Sequence, residues 1–250
     1  MDKSIAIMQS YFFPYIGYFQ LINEVDEFIL YDKVTFRKNS WINRNRIKDK
    51  GTSAPIQITV PVKKASSYSL INEIQVFPEV KWKDQIKNLL FFNYKKALFF
   101  DEIYEIIIEL LYNECENIHE YNATIIKEIC KRIGITTPIV TRNDKHQIVE
   151  SNLSVRSKER QTEMKSQRVY DLCELYNANL FLNPINGMEL YEFEKFKEQN
   201  LVLEFIKAKE IAYDQFKTPF QPYLTINDVL MHNGFDGTKL LLSQNQIIKG

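Results

Sequence analysis

Three stretches of this chain carry side chains whose types and spacing could do chemistry. The first runs Gln9-Ser10-Tyr11-Phe12-Phe13-Pro14-Tyr15-Ile16-Gly17-Tyr18, with four aromatic residues between Tyr11 and Tyr15 and with Pro14 and Gly17 as punctuation. Tyr11, Phe13, Tyr15 and Tyr18 could wall a pocket that stacks on a flat base or ring, with Gln9 offering an amide donor and acceptor. The bland alternative is an aromatic plug at one end of a core. The second stretch, Arg37 to Arg46, places four cations in ten residues and interleaves Trp41, Asn43 and Asn45. Arg44 and Arg46 there could clamp a diphosphate through bidentate hydrogen bonds, and Trp41 could add a stacking surface. Its bland alternative is a solvated basic loop. In the third, Asn183-Pro184-Ile185-Asn186-Gly187-Met188-Glu189-Leu190-Tyr191, a strand end meets a Pro/Gly turn and a short helix beginning near Glu189. Backbone amides at such a helix start can hold an anion, which makes Asn183, Asn186, Gly187 and Tyr191 binding candidates.

Titratable groups that could move a proton are scarce. The three histidines, His119, His146 and His232, are too scattered to suggest a metal site or a triad, and no metal is expected. His232 is the better general-base candidate by chemistry, and Asp32, at the end of a predicted strand, is the comparable carboxylate.

The elements that must position these groups follow from periodicity. Ile5–Met8, Tyr15–Asn23 and Glu27–Tyr31 read as strand, helix and strand, a unit that favours a parallel sheet. Ile56 to Val62 and Ile71 to Val76 are β-branched runs of strand length. Trp82 to Leu98 and Ile118 to Ile133 keep a 3.6-residue apolar period, and Ile103 to Tyr112 between them reads as helical too. The last of these helices should end on Lys131 and Arg132 with Gly134 as its cap. The α/β rhythm then returns. Strands are predicted at 138–141, 179–183 and 201–206, and a polar loop at Ser151 to Ser157. Helices are predicted at 158–176 and 189–197 and from Thr225, with Asp228 as a capping partner, to His232. The fold class is therefore α/β, a Rossmann-like, mostly parallel sheet with a helical insertion or cap in the middle of the chain. The segments divide as 1–80, with the ligand-binding junction, 81–134, helical, and 135–250, or form one continuous domain.

Composition narrows the function. Lys and Arg number 32 and Asp and Glu 32, and a balance of zero argues against a dedicated nucleic-acid binder. With 45% apolar residues and only seven glycines, the chain can build a sizeable core. Neither a secretory leader nor an uninterrupted apolar stretch long enough for a bilayer is visible, so a cytoplasmic protein without membrane insertion is expected. The cysteines, Cys115, Cys130 and Cys173, lack metal-ligand spacing and suit a reducing compartment as packing thiols.

The spacing Pro14-Tyr15-Ile16-Gly17-Tyr18 is similar to the junction of nucleotidylyltransferases, except that tyrosines stand where those enzymes have two histidines. Over the whole chain the sequence resembles the WbqC-like proteins. The blocks that carry the resemblance are the opening Gln9–Ile22, Tyr31–Asp32 with Trp41–Ile47, Leu182–Tyr191, which fits more loosely, and Thr225–Gly234. Ser10 departs from the pattern, where proline is common. That family is associated with bacterial surface-polysaccharide gene clusters, in company with enzymes making nucleotide-linked deoxyamino sugars. The resemblance implies a sugar N-acyltransferase, moving an acyl group, acetyl from acetyl-CoA as co-substrate, onto the amine of a dTDP- or UDP-linked aminosugar for O-antigen. It brings no catalytic residue set. Two other classes stay open: an ATP-dependent amide ligase acting on an aminosugar, and a non-catalytic sugar-nucleotide binding subunit. Assembly into a homo-oligomer is allowed for.

Overall fold

The computed structural model describes all residues except 1–2, 53, 67, 156–160, 210, 217–218 and 250. A six-stranded sheet forms its centre. The strands are β1 (Ser4–Met8), β2 (Glu27–Leu30), β5 (Ile139–Val140), β6 (Leu180–Pro184), β7 (Val202–Ala208) and β8 (Asn245–Lys249), in the order β5-β2-β1-β6-β7-β8. All neighbours are parallel except β7 and β8. A two-stranded antiparallel ribbon, β3 (Arg44–Ile47) with β4 (Ile56–Thr59), stands apart from the sheet. The helices are α1 (Ile16–Asn23), α2 (Lys81–Tyr94), α3 (Phe100–Leu111), α4 (Ile118–Arg132), α5 (His146–Val155), α6 (Gln161–Leu175), α7 (Phe193–Glu198) and α8 (Ile226–Leu241). The expected mixed α/β architecture with a mostly parallel sheet is present.

Alternation along the strands sorts apolar residues onto two faces. Ala6, Phe28, Leu30 and Leu182 join Phe19 of α1, Ile107 of α3, Ile125 of α4 and Leu230 of α8 in one buried cluster. Ile5, Ile29, Phe181 and Phe205 join Leu153 of α5, Leu172 and Cys173 of α6 and Phe196 of α7 in the other. Burial pushes the Cys130 and Cys173 thiols up to about 12, which keeps them protonated packing groups.

The first connection, through α1, crosses one face, and the connection from β6 to β7, through α7, crosses the other. β1 and β6 lie side by side in the sheet, so their carboxyl ends diverge. In open parallel sheets that divergence opens the crevice where ligands bind. The aromatic corner leaves β1 there, and the Asn186 turn leaves β6.

Several expectations are corrected. Ile71 to Val76 is a 3-10 turn (Ile71–Glu73) with an isolated bridge from Val76 to Val62, because Leu70, Ile71 and Glu73 take up turn hydrogen bonds. Ser151 to Val155, expected as loop, continues α5, whose Val149 and Leu153 bury a helical stripe; residues 156 and 157 lie outside the described chain. The helix foreseen from 158 is described from Gln161. The segment 189–197 divides into a 3-10 turn (Ile185–Leu190) and α7, separated at Tyr191 and Glu192. Thr225 does not cap α8 through its side chain, and Asp228 turns inward instead. The Arg44–Ile47 stretch forms a strand, and β8 returns antiparallel, neither of which periodicity revealed. Gly134 does end α4, with φ +77.

Two buried asparagines tie the aromatic corner to the basic stretch. Asn45 donates its side-chain amide to the carbonyls of Phe12 and Phe13, both at 2.9 Å. Asn122 of α4 donates to Ser10 and Ile42 at 2.9 and 2.7 Å. Each bond satisfies a carbonyl that no strand or helix reaches. Asn45→Ala or Asn122→Ala leaves two such carbonyls unpaired and should lower unfolding stability by about 2–4 kcal/mol. Urea denaturation measures it, and a loss under half a kcal/mol in both would contradict this role.

Candidate functional site

The corner after β1 is built to present one ring and hide others. Phe12 and Phe13 are fully buried, and Phe13 takes φ +41, a costly conformation for a bulky residue. Tyr18 is also buried, and its hydroxyl donates to the Gln9 carbonyl at 2.7 Å. Phe13 and Tyr18 therefore pack the core and line none of the cavities described below. Tyr15 does the opposite. Its ring lies across Gly17 so closely that an added Cβ there would sit 2.4 Å from a ring carbon. Gly17 is what lets Tyr15 fold back over the first turn of α1.

Tyr15 divides two adjoining cavities. The smaller, about 230 Å3, takes Tyr11, Pro14 and Tyr15 from the corner and Trp41, Asn45 and Arg46 from the basic stretch; Asn186 and Tyr223 complete it. The structure thus brings all three chemically suggestive stretches to the carboxyl ends of β1 and β6. Trp41 is 43% exposed, and the Arg46 guanidinium lies 5.1 Å from its ring centre, so cation and π-face present themselves together. Nε of Arg46 is buried and meets no acceptor among the described residues. Burial raises the Tyr11 and Tyr15 phenols above their ordinary value, so both remain hydrogen-bond donors.

The larger cavity, about 490 Å3, runs from Tyr15 and Tyr223 along Ile211, Ala212, Tyr213, Phe220 and Val229 to Lys207 and Lys209. Its wall rests on a carboxylate that sequence reasoning took for a helix cap. Asp228 is fully buried in the first turn of α8 and accepts hydrogen bonds from Tyr94 (2.8 Å), Tyr213 (2.6 Å) and Gln215 (2.6 Å). Those three donors satisfy a carboxylate that the fold takes out of water. Backbone bonds fasten the start of α8 to the cleft: Thr225 N to Arg46 O at 3.0 Å and Ile226 N to Pro14 O at 2.9 Å.

Other candidates lie elsewhere. Arg44 turns away to the Asn39 carbonyl, and Asn43 donates to Val60 O at 3.0 Å to close the ribbon. Gln9 is half-buried and lines neither cavity. Asn183 is buried, and its amide occupies the space beside Gly187, where a Cβ would meet it at 2.1 Å. Tyr191 packs edge-on against Phe181 and Phe196 on the opposite face of the sheet. Asp32 lies in a separate cavity at the ends of β2 and β5. His232 sits among Tyr94, Tyr213 and Phe216, the last 4.5 Å away, and lines neither cavity of the cleft. His119, which carried no signal beyond helix membership, is buried between Ser10 Oγ (3.2 Å from Nδ1) and Thr141 O (2.8 Å from Nε2). A carbonyl can only accept, so Nε2 carries the proton and Nδ1 accepts from Ser10.

A sequence model of the WbqC-like protein family matches residues 9–240. The chain belongs to the WbqC-like protein family. It is also 29% identical over 243 residues to the uncharacterized protein Rv1507c of Mycobacterium tuberculosis (strain ATCC 25618 / H37Rv), across 96% of this chain and 97% of that one. No solved structure matches. Among the described residues no helix is long and apolar enough to cross a membrane, and no group of three or more His, Cys, Asp or Glu could hold a metal ion.

Two outcomes follow for this WbqC-like protein. A nucleotide diphosphate seated in the smaller cavity would lose about 1–3 kcal/mol of affinity on Arg46→Ala and none on Arg44→Ala, by titration calorimetry; equal effects would deny the cleft its cation. Burial lowers the His232 imidazole below its ordinary value, with Asp228 and Asp214 opposing. The unfolded chain therefore binds the extra proton first, so this stabilisation is present above about pH 6.5 and is lost as pH falls through the folded value. The urea midpoint of His232→Phe should fall less between about pH 7 and about pH 5 than that of the parent. An unaltered pH slope would show that His232 does not contribute.

Proposed function

We propose that this WbqC-like protein is a sugar N-acyltransferase whose acceptor is a nucleotide-diphospho-aminosugar and whose donor is a coenzyme A thioester, acetyl-CoA in the first instance. The observation that carries the reading is the pair of cavities sharing Tyr15 and Tyr223. One has a π-face, an arginine and amides, and the other is a larger, mainly apolar cavity whose lining includes two lysines. Trp41 and Arg46 suit a base and a diphosphate. The mainly apolar cavity suits a pantetheine arm, with Lys207 and Lys209 toward its phosphates. A Rossmann-like sheet with its ligand at the divergence of β1 and β6 fits the same reading, as does the sugar-related, enzymatic character that the family resemblance implies. A cytoplasmic location would give it both substrates.

The amine attacks the thioester carbonyl, a C–N bond forms, the C–S bond breaks, and the thiolate leaves as CoA-SH with the amine's proton. Asp32 and His232 line neither cavity, so in this reading water in the cleft carries that proton. The tetrahedral oxyanion takes donors from the Tyr11 and Tyr15 phenols and the Asn186 amide. The residues act mainly by positioning two bound substrates against each other, an effect that can by itself supply much of an acyl-transfer rate.

Purified protein incubated with acetyl-CoA and a panel of dTDP- and UDP-aminosugars should release CoA with at least one of them. Arg46→Ala should reduce kcat/KM by roughly 5- to 150-fold, mostly through KM. No CoA release at high enzyme concentration, with carboxylate-dependent pyrophosphate exchange from ATP instead, would replace acyl transfer by amide ligation.

A further inference from the structure

A second polar cavity opens where β2 and β5 end side by side, on the far side of β1 from β6 and outside the cleft. It measures about 380 Å3, and Asp32, Lys33, Asn72 and Arg142 are among its lining residues. Asp32 is only 4% exposed. Its backbone carbonyl accepts from Asn72 N at 3.3 Å, but no donor among the described residues bonds its carboxylate. Beside it, the side-chain oxygen of Asn72 is buried without a partner among the described residues. Neighbouring groups are already engaged: the Asn143 amide donates to the Tyr176 hydroxyl at 3.0 Å, and its oxygen accepts from Lys145 N at 3.0 Å. His119 and His146 face the same carboxylate, but burial lowers both below the ordinary histidine value, so near neutral pH they bring it no charge.

A carboxylate that lines a cavity and has no protein donor of its own is best complemented by a cationic or hydrogen-donating group within that cavity. Two residues with unpaired acceptors line one cavity, and they favour a donor-rich group such as a primary ammonium, which has three N–H bonds to give. The rim carries two cations, Lys33 and Arg142, and one exposed carboxylate, Asp144. Lys33 forms no ion pair among the described residues, and Arg142, paired with Glu120, keeps a largely exposed guanidinium. Two cations against the single exposed Asp144 leave the rim net positive, which disfavours a bare dication, and Asp32 at the base disfavours a simple anion. A molecule carrying both charges a short distance apart satisfies both ends.

We propose that this cavity is a second binding site, for a small zwitterion whose primary ammonium is held by Asp32 and Asn72 and whose carboxylate faces Lys33 and Arg142, the chemistry of a free α-amino acid. This assignment is independent of the reading of the cleft, because none of these residues lines either cavity there.

The test is titration calorimetry of the full chain with the proteinogenic α-amino acids, each beside its N-acetyl derivative and its decarboxylated amine. At least one amino acid should bind saturably, and blocking its amine or removing its carboxylate should weaken it by about tenfold or more. Asp32→Asn, nearly isosteric, should lose about tenfold or more, and the exposed Arg142→Ala, which should not disturb folding, should lose several-fold. Arg46→Ala should bind the amino acid as the parent does, which separates this site from the cleft. No saturable binding across the panel, or binding that Asp32→Asn and Arg142→Ala both leave unchanged, would overturn the proposal. So would competition by a nucleotide-linked aminosugar that Arg46→Ala abolishes, since the amino acid would then occupy the cleft.

Discussion

The side-chain amides of Asn45 and Asn122 hold together four carbonyls that belong to no strand or helix: Ser10, Phe12, Phe13 and Ile42. Every feature of the cleft depends on that constraint. With its carbonyls fixed, the chain after β1 can place Phe13 at positive φ, bury Phe12 and Phe13, and leave Tyr15 to fold across Gly17 into the crevice. With Ile42 fixed, Trp41 in the turn before the ribbon and Arg46 on it face the same crevice. An asparagine amide suits this work because it offers two donors on a short, uncharged stem, whereas a lysine or arginine buried there would need a counter-charge.

Much of the architecture was legible because it rests on local patterns. The β1–α1–β2 unit, the three central helices and the β6 and β7 strands announce themselves through apolar period and punctuation. What stayed hidden was decided by tertiary partners. Arg44 to Ile47 is a strand because β4 pairs with it, and its polar alternation only makes sense once Asn45 is seen pointing inward and Arg46 toward the cleft. Ser151 to Val155 is helical because Val149 and Leu153 have a sheet face to bury against, although its polar residues suggest a loop. Asp228, three residues after a threonine, has the spacing of a cap, yet two phenols and a glutamine brought from distant segments claim its carboxylate.

The site shows the same division. Residue types were informative where function needs rare chemistry in one place: Tyr11, Tyr15, Trp41, Asn45, Arg46 and Asn186 meet in one cavity. Types were not informative about direction. Tyr18 and Phe13 look the same as Tyr15 in the sequence, but sheet geometry turns them into the core, and Arg44 differs from Arg46 only by which carbonyl or ring lies within reach. Tyr223 and Tyr213, which wall the larger cavity, lie in a segment without periodicity or motif, so nothing local marked them. The resulting surface is rich in π-faces, amides and one cation, and poor in groups that titrate near neutral pH. Such a surface orients ligands more than it exchanges protons with them.

The central claim is that Trp41 and Arg46 present a nucleotide-binding face at the divergence of β1 and β6. The chain has two tryptophans, and Trp82 is largely buried in the helical segment, so Trp82→Phe leaves Trp41 as the sole indole reporter. Titrating that variant with dTDP- and UDP-linked aminosugars should give a saturable change in Trp41 fluorescence, and the further substitution Arg46→Ala should shift the midpoint to higher concentration. A Trp41 signal that stays flat, while calorimetry records binding of the same ligand, would place the nucleotide elsewhere and contradict the account.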